Sequence, residues 1–236
     1  MTNKKSFDKK WESNVYSKGR QFNSYPFDIL VSITANKFFH LPLKQRRKIK
    51  VLDLGCGAGN NAKFFAENGF SVFGIDGSKT AVNACKKRFK YWELKGYFIL
   101  GDFLELPFEN NFFDLVVDRE SLYANNPDDI QKIIGQVFKK LKPGGYFVSF
   151  MYNSFHPGKK FGVKTEKNTY DNFSKGSFKG AGKVHFADLK EISDWFSKFR
   201  IENIARHSLH EVYNKPKRST GFDEYIIVAK RVAKRP

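Results

Sequence analysis

Nine residues, Val51-Leu52-Asp53-Leu54-Gly55-Cys56-Gly57-Ala58-Gly59, set an acid and three alternating glycines at the end of an apolar run, just ahead of a helical pattern. Glycine lets the main chain come close to a ligand and tolerates backbone angles that other residues resist. Dinucleotide-binding loops carry a further glycine or alanine one place later, where this chain has Asn60, and hold a pyrophosphate at the helix N-terminus. An acid at Asp53 would repel that pyrophosphate, so the loop suits a ligand that carries positive charge. Further acids follow at Asp76, which lies 17 residues past Gly59, at Asp102 behind Gly101, and in the trio Asp118-Arg119-Glu120. For a hydroxyl acceptor a general base would help, and His156 is the titratable group best placed for it, with His185 second. Cysteine and histidine do not cluster at zinc-type spacings, and no metal is expected.

These groups need strands and helices to bring them together. Apolar runs over Lys48 to Leu54, Ser71 to Ile75, Tyr97 to Leu100, Phe112 to Val117 and Tyr146 to Met151 read as five buried parallel strands. The intervening segments read as crossover helices: Asn60 to Asn68, stopped by Gly69; Ser78 to Phe89, with Ser78 as N-cap; and Asp128 to Leu141, closed by Lys142-Pro143-Gly144-Gly145. In such a sheet Asp76, Asp102 and the Asp118-Arg119 pair all fall at the carboxyl edge, where open α/β sheets bind ligands. From Tyr152 to Val184 periodicity fades into a polar, glycine-bearing stretch, which we read as a lid loop over the substrate. A helix at Ala187 to Phe196 and two strands, Phe199 to Arg206 and Glu224 to Lys230, complete the pattern as a closing antiparallel pair.

The glycine segment resembles motif I of the class I S-adenosylmethionine-dependent methyltransferases, and the order of elements is similar to that family over about 100 residues. The resemblance implies a Rossmann-like, doubly wound, mostly parallel α/β sheet of about seven strands with an extra N-terminal helix. It also implies S-adenosyl-L-methionine as the methyl donor. Asp53, Gly55, Cys56, Gly57 and Gly59 would then surround the donor, and Asp76, followed by Gly77 and Ser78, would accept the ribose hydroxyls. Asp102 would take the adenine amino group while Phe103 lies against the ring. Asp118 and Arg119 are expected to touch the donor or the acid group of the acceptor, with His156 as base. Trp11, Tyr16, Gly19-Arg20-Gln21-Phe22 and Tyr25-Pro26 resemble the lead-in of bacterial methyltransferases that modify polysaccharides or small molecules, and aromatic rings there could lie near the sulfonium.

The chain of 236 residues is read as one domain: a cap over 1–47, a cofactor-binding core over 48–151, a lid over 152–186, and a C-terminal helix with its strand pair over 187–236. No apolar run is long enough to span a membrane, no leader is visible, and two cysteines point to a reducing cytoplasm. Net charge is +18, yet residues 51–154 hold 12 basic and 12 acidic side chains, so the excess sits in the flanks. A basic flank fits an anionic partner, and a lysine-rich composition with solvated side chains accounts for it equally well. The expected acceptor is a small molecule or saccharide, with an anionic one among the candidates. RNA is the rival acceptor, and a cofactor-binding fold without turnover is the rival of another class.

Overall fold

The computed structural model describes residues 5–210 and 221–232. Three short helices, α1 (Lys9–Asn14), α2 (Asp28–Phe38) and α3 (Leu43–Arg46), lead into β1 (Lys50–Leu54). The alternation then runs α4 (Asn60–Glu67), β2 (Ser71–Asp76), α5 (Lys79–Tyr91), β3 (Tyr97–Leu100), β4 (Phe113–Arg119), α6 (Pro127–Lys140) and β5 (Leu141–Tyr152). A small sheet of β6 (Val163–Glu166), β7 (Thr169–Asp171) and β8 (Val184–His185) is followed by α7 (Leu189–Trp195), β9 (Arg200–Leu209) and β10 (Phe222–Lys230).

The main sheet has seven strands in the order β3-β2-β1-β4-β5-β10-β9. Its first five strands are parallel, and β10 runs antiparallel to both β5 and β9. Successive side chains of a strand face opposite sides, and the two cores follow that rule. Leu52 and Leu54 pack toward α6 and α7, among Ile130, Ile133, Ile134, Ile192 and Trp195. Val51 faces the other way, toward Leu30 and Phe38 of α2, Phe65 of α4 and Val82 and Phe89 of α5. The doubly wound arrangement thus follows from apolar residues placed on both faces of every central strand. Among the described residues no helix is long and apolar enough to cross a membrane.

Two sequence expectations are corrected here. Lys142 to Gly145, expected to close the preceding helix as a turn, form the start of β5, because Leu141 already pairs with Phe113 and an irregular register carries the chain past Gly144. The stretch expected to be a lid loop is folded. Its strands β6, β7 and β8 pair antiparallel, and Phe173, Phe178, Val184 and Phe186 form a third apolar cluster with Tyr123. Strands of two to four residues are too short to produce a readable alternation, which is why the pattern was silent there.

Asp118 closes β4 and fixes the loop after it. It is fully buried, and its carboxylate accepts from Ser121 N–H (2.9 Å), Leu122 N–H (3.1 Å), Ser121 Oγ and Ser149 Oγ (2.6 Å). Burial pushes its pKa upward, and these hydrogen bonds pull it back. Asp118→Ala would leave the Ser121 and Leu122 N–H groups and the Ser149 hydroxyl without their acceptor, while the Ser121 hydroxyl keeps the Leu54 carbonyl. We expect it to lower unfolding free energy by about 2–4 kcal/mol, read as a fall in the denaturation midpoint. An unchanged midpoint would remove Asp118 from this structural role.

Candidate functional site

The carboxyl ends of β1, β2 and β4 meet at the glycine loop. Gly55, Gly57 and Gly59 all have left-handed backbone angles, with φ of 80°, 51° and 87°. A Cβ on Gly55 would stand 2.3 Å from the Ser121 Cβ and 3.5 Å from the Phe103 ring, and one on Gly57 would stand 3.3 Å from the Tyr16 hydroxyl. The loop is therefore pressed close beneath neighbouring side chains: Gly55 has no room for one, and at Gly57 the contact is tight and the positive φ itself resists one. Gly59 starts α4, with the Cys85 sulfur 2.6 Å from where its Cβ would be, so its role is in packing.

A cavity of about 140 Å³ opens over this loop. Of the residues expected at the site, Gly55, Cys56, Gly57, Asp76, Gly77, Asp102, Phe103 and Arg119 line it. Asp53, Gly59, Ser78, Asp118 and His156 do not. Ser78 caps α5, accepting from Ala81 N–H at 3.0 Å, and its hydroxyl donates to Glu12 (2.5 Å). His156 lies behind the wall, ringed by Tyr152, Phe178 and Phe186, with its Nδ1 accepting from Gly158 N–H at 2.9 Å. Burial drops its pKa to about 4, so it is neutral with its proton on Nε2. His185 is also buried, between Thr169 Oγ1 (2.8 Å) and Glu191 (3.2 Å), and belongs to the small sheet.

Acids dominate the electrostatics. Asp53 is 1% exposed, and neither of its carboxylate oxygens has a well-aligned hydrogen bond among the described residues, the nearby Ala62 N–H only partly offsetting its burial. Burial first, and then the nearby charge of Asp76, lift its pKa to about 7. Asp76 faces the cavity and accepts from Gly57 N–H (2.9 Å) and Ser78 N–H (2.8 Å), while burial raises it to about 6. A buried carboxylate without donors is costly unless positive charge stands near it. A ligand bearing an ammonium and a sulfonium relieves that cost, whereas a pyrophosphate adds to it. The residues present fit S-adenosylmethionine on this ground: the orphaned Asp53 below, the close glycine cradle above it, and Asp76 with lone pairs toward the cavity.

Asp102 is shared with the chain's own N-terminal segment. Ser6 donates its N–H to Oδ2 (2.6 Å) and its hydroxyl to Oδ1 (2.7 Å), and Phe7 N–H reaches Oδ2 at 3.1 Å. The Phe7 ring lies 2.1 Å from where a Cβ on Gly77 would be, so the segment fills the bay beside Phe103. At about 140 Å³ the free space is below the roughly 300 Å³ typical of small-molecule sites. Ser6 and Phe7 are among the residues that wall it. Sequence reading did not foresee it, because nothing in Ser6 or Phe7 marks a residue that folds back 96 positions onto Asp102.

The other half of the cavity joins Arg119, Glu120 and Trp11, which the sequence singles out, to Tyr123, Tyr152 and Phe178, which it does not. Glu120, at φ 54°, ion-pairs with Arg119, whose guanidinium also reaches Glu224 (3.2 Å) and lies 3.8 Å from the Phe27 ring centre. Burial lifts Glu224 to about 7. Trp11, Tyr123, Tyr152 and Phe178 wall this half. The positive φ at Glu120, like that at Gln21 in the same lining, is invisible in sequence. No group of three or more His, Cys, Asp or Glu side chains suited to a metal occurs among the described residues.

Residues 51–145 match the family described as a methyltransferase domain. An uncharacterized methyltransferase of Synechocystis sp. is 35% identical over 114 residues, which are 47% of this chain and 52% of that protein. The demethylmenaquinone methyltransferase of Lactococcus lactis is 29% identical over 171 residues, 71% of this chain and 64% of that one. A solved structure of a SAM-dependent methyltransferase from Methanosarcina mazei superposes with a TM-score of 0.70 at 20% identity, covering 89% of this chain and 100% of that chain. At that identity the likeness is one of fold. The chain spans less than two thirds of the length of either curated relative.

Two outcomes test the site. With its folded pKa near 7 and an ordinary unfolded value of 3.8, Asp53 contributes stability that is intact below about 4 and lost as pH rises through 7. Asp53→Asn should therefore raise the melting temperature more at pH 8 than at pH 5; equal increments at both would contradict the buried-charge account. Removal of residues 1–7 should tighten S-adenosylmethionine binding by roughly fivefold, since about 1 kcal/mol of competing hydrogen bonding disappears. Weaker or unchanged calorimetric affinity would place that segment outside the ligand's bay.

Proposed function

We propose that this chain, whose residues 51–145 match a methyltransferase-domain family, is a class I S-adenosylmethionine-dependent methyltransferase that moves a methyl group from that donor to a small-molecule acceptor. The observation that carries this reading is the orphaned Asp53 beneath a closely pressed glycine loop, with Asp76 opening toward the cavity beside it. When bound, the donor supplies an electrophilic methyl on a positively charged sulfur.

In this reading the chain's residues bind and orient. Gly55, Cys56 and Gly57 offer main chain to the donor's amino-acid end, with Asp53 opposing its positive charge from below. Asp76 accepts the ribose hydroxyls, and Asp102 with Phe103 receives the adenine once Ser6 and Phe7 withdraw. The acceptor's lone pair must align with the methyl carbon and the sulfur, and a closed site supplies that alignment as reduced entropy of approach. The cavity is roofed by α1 and by the segment around Phe178, which supports an acceptor small enough to be enclosed. Two free, buried cysteines, Cys56 and Cys85, support the expected reducing cytoplasm.

Calorimetry with S-adenosylmethionine and S-adenosylhomocysteine tests the reading directly. Both should bind, and Asp76→Ala should weaken both by about 1.5–3 kcal/mol through loss of charge-assisted hydrogen bonds. Absence of heat with either ligand, or full affinity in a folded Asp76→Ala protein, would overturn it.

A further inference from the structure

Four rings from four separate parts of the chain converge on the half of the cavity away from Asp102. Trp11 comes from α1, Tyr123 from the turn after β4, Tyr152 from the end of β5, and Phe178 from the stretch between β7 and β8. Ring centres are 6.0 Å apart for Trp11 and Tyr123, 4.6 Å for Tyr123 and Tyr152, and 5.1 Å for Tyr152 and Phe178. Burial holds both tyrosines protonated, their pKa values pushed well above the ordinary one. This wall offers π faces and edges and carries no charge.

Glu120 is the acid beside that wall, and its carboxylate bears on both tyrosine hydroxyls. It keeps a left-handed backbone that costs a non-glycine residue about 1 kcal/mol, a strain that ordinarily persists where a side chain must be aimed. Arg119 cannot serve an anionic ligand here, because its charge is already divided between Glu120 and Glu224. Among the described residues the cavity lining contains four acids, two arginines and no lysine. The lysines of the covering segment that appear in ion pairs point elsewhere, as Lys167 does to Asp188 and Lys183 to Glu166. Arg20, the other arginine, is exposed and its guanidinium is turned to the Asn14 and Lys179 carbonyls, so a phosphate or carboxylate acceptor would lose its water beside acids with little cationic charge aimed at it.

We propose that this half of the cavity selects a planar heteroaromatic acceptor, neutral or cationic, that stacks among Trp11, Tyr123, Tyr152 and Phe178 and donates an N–H or O–H to Glu120. The assignment rests on the methyl-transfer reading above and names its acceptor class. Aromatic faces hold a flat, electron-poor or positive ring better than a saturated sugar or a flexible acyl chain. Glu120 adds direction, since a single carboxylate turns the ring so that its donor atom points one way. It is a specificity-determining residue: it sets which acceptors fit and how they lie.

The test uses the full-length protein saturated with S-adenosylhomocysteine, and reads tryptophan fluorescence and calorimetric heat on adding 4-aminoquinoline, glucose 6-phosphate or dodecanoate. The aminoquinoline should bind tightest of the three. Glu120→Gln should weaken it about tenfold, the effect of losing one charge-assisted hydrogen bond, and Tyr123→Ala should weaken it by a similar factor. S-adenosylhomocysteine affinity should stay unchanged in both variants, which also reports that they fold. Tighter binding of glucose 6-phosphate or dodecanoate, or an aminoquinoline affinity indifferent to Glu120→Gln, overturns the acceptor assignment and leaves donor binding intact. Failure of the wild-type protein to bind S-adenosylhomocysteine overturns the underlying reading and the assignment with it.

Discussion

Three carboxylates are buried where the carboxyl ends of β2, β1 and β4 come together, and the architecture around the cavity is arranged by how each is satisfied. Asp118 has four donors and acts as a structural pin. Asp76 has two main-chain donors and keeps capacity toward the cavity. Asp53 has no well-aligned donor among the described residues, only the nearby Ala62 N–H. A neighbouring acid adds to desolvation, Asp76 for Asp53 and Glu12 for Asp76, which is why they rise to about 7 and about 6. Folding alone gives no reason to retain such a group, since a neutral side chain of the same size would cost less. A positively charged ligand does give one.

The geometry that keeps these acids close also produces the space above them. Strand β1 lies between β2 and β4, with Asp53 in register with Gly74 and Val117, so its neighbours cannot move apart without breaking two ladders. The Asp118 pin sets the turn at Ser121, whose hydroxyl proton is shared between Asp118 and the Leu54 carbonyl at 2.7 Å and so holds the glycine loop from behind. A change at the end of β4 therefore reaches the donor side of the cavity through a single hydroxyl.

The N-terminal segment ties the two halves together. Ser6 and Phe7 lie on Asp102, Glu12 bonds Ser78 and Thr80 next to Asp76, and Trp11 meets Tyr123 in the aromatic half. Lys10 pairs with Asp171 at 2.9 Å, and Asn14 donates to the Gly180 carbonyl at 3.1 Å, so the same segment also holds the small sheet and its connections. Ligand entering the Asp102 bay has to displace part of a strap that also positions one wall of the acceptor half. Most of the basic excess lies outside this enclosure, which separates the net charge from the chemistry of the cavity.

The sequence by itself determined the central sheet, the order of its crossovers and the glycine loop, because apolar runs and glycine spacing act over a few neighbouring residues and need no distant partner. It also placed Asp76, Asp102 and Arg119 at the cavity, since strand ends map directly onto the carboxyl edge of a parallel sheet. Tertiary structure alone decided the rest. Asp118 and His156, both at that edge in the chain, are turned inward by Ser149 and by the rings around Tyr152, contacts made across the sheet or through the small sheet beside it. The aromatic half is assembled from residues 11, 123, 152 and 178, and Asp102 meets Ser6 across nearly a hundred positions. Pairings at such separations are set by how the elements pack, and no local pattern of residue types encodes them.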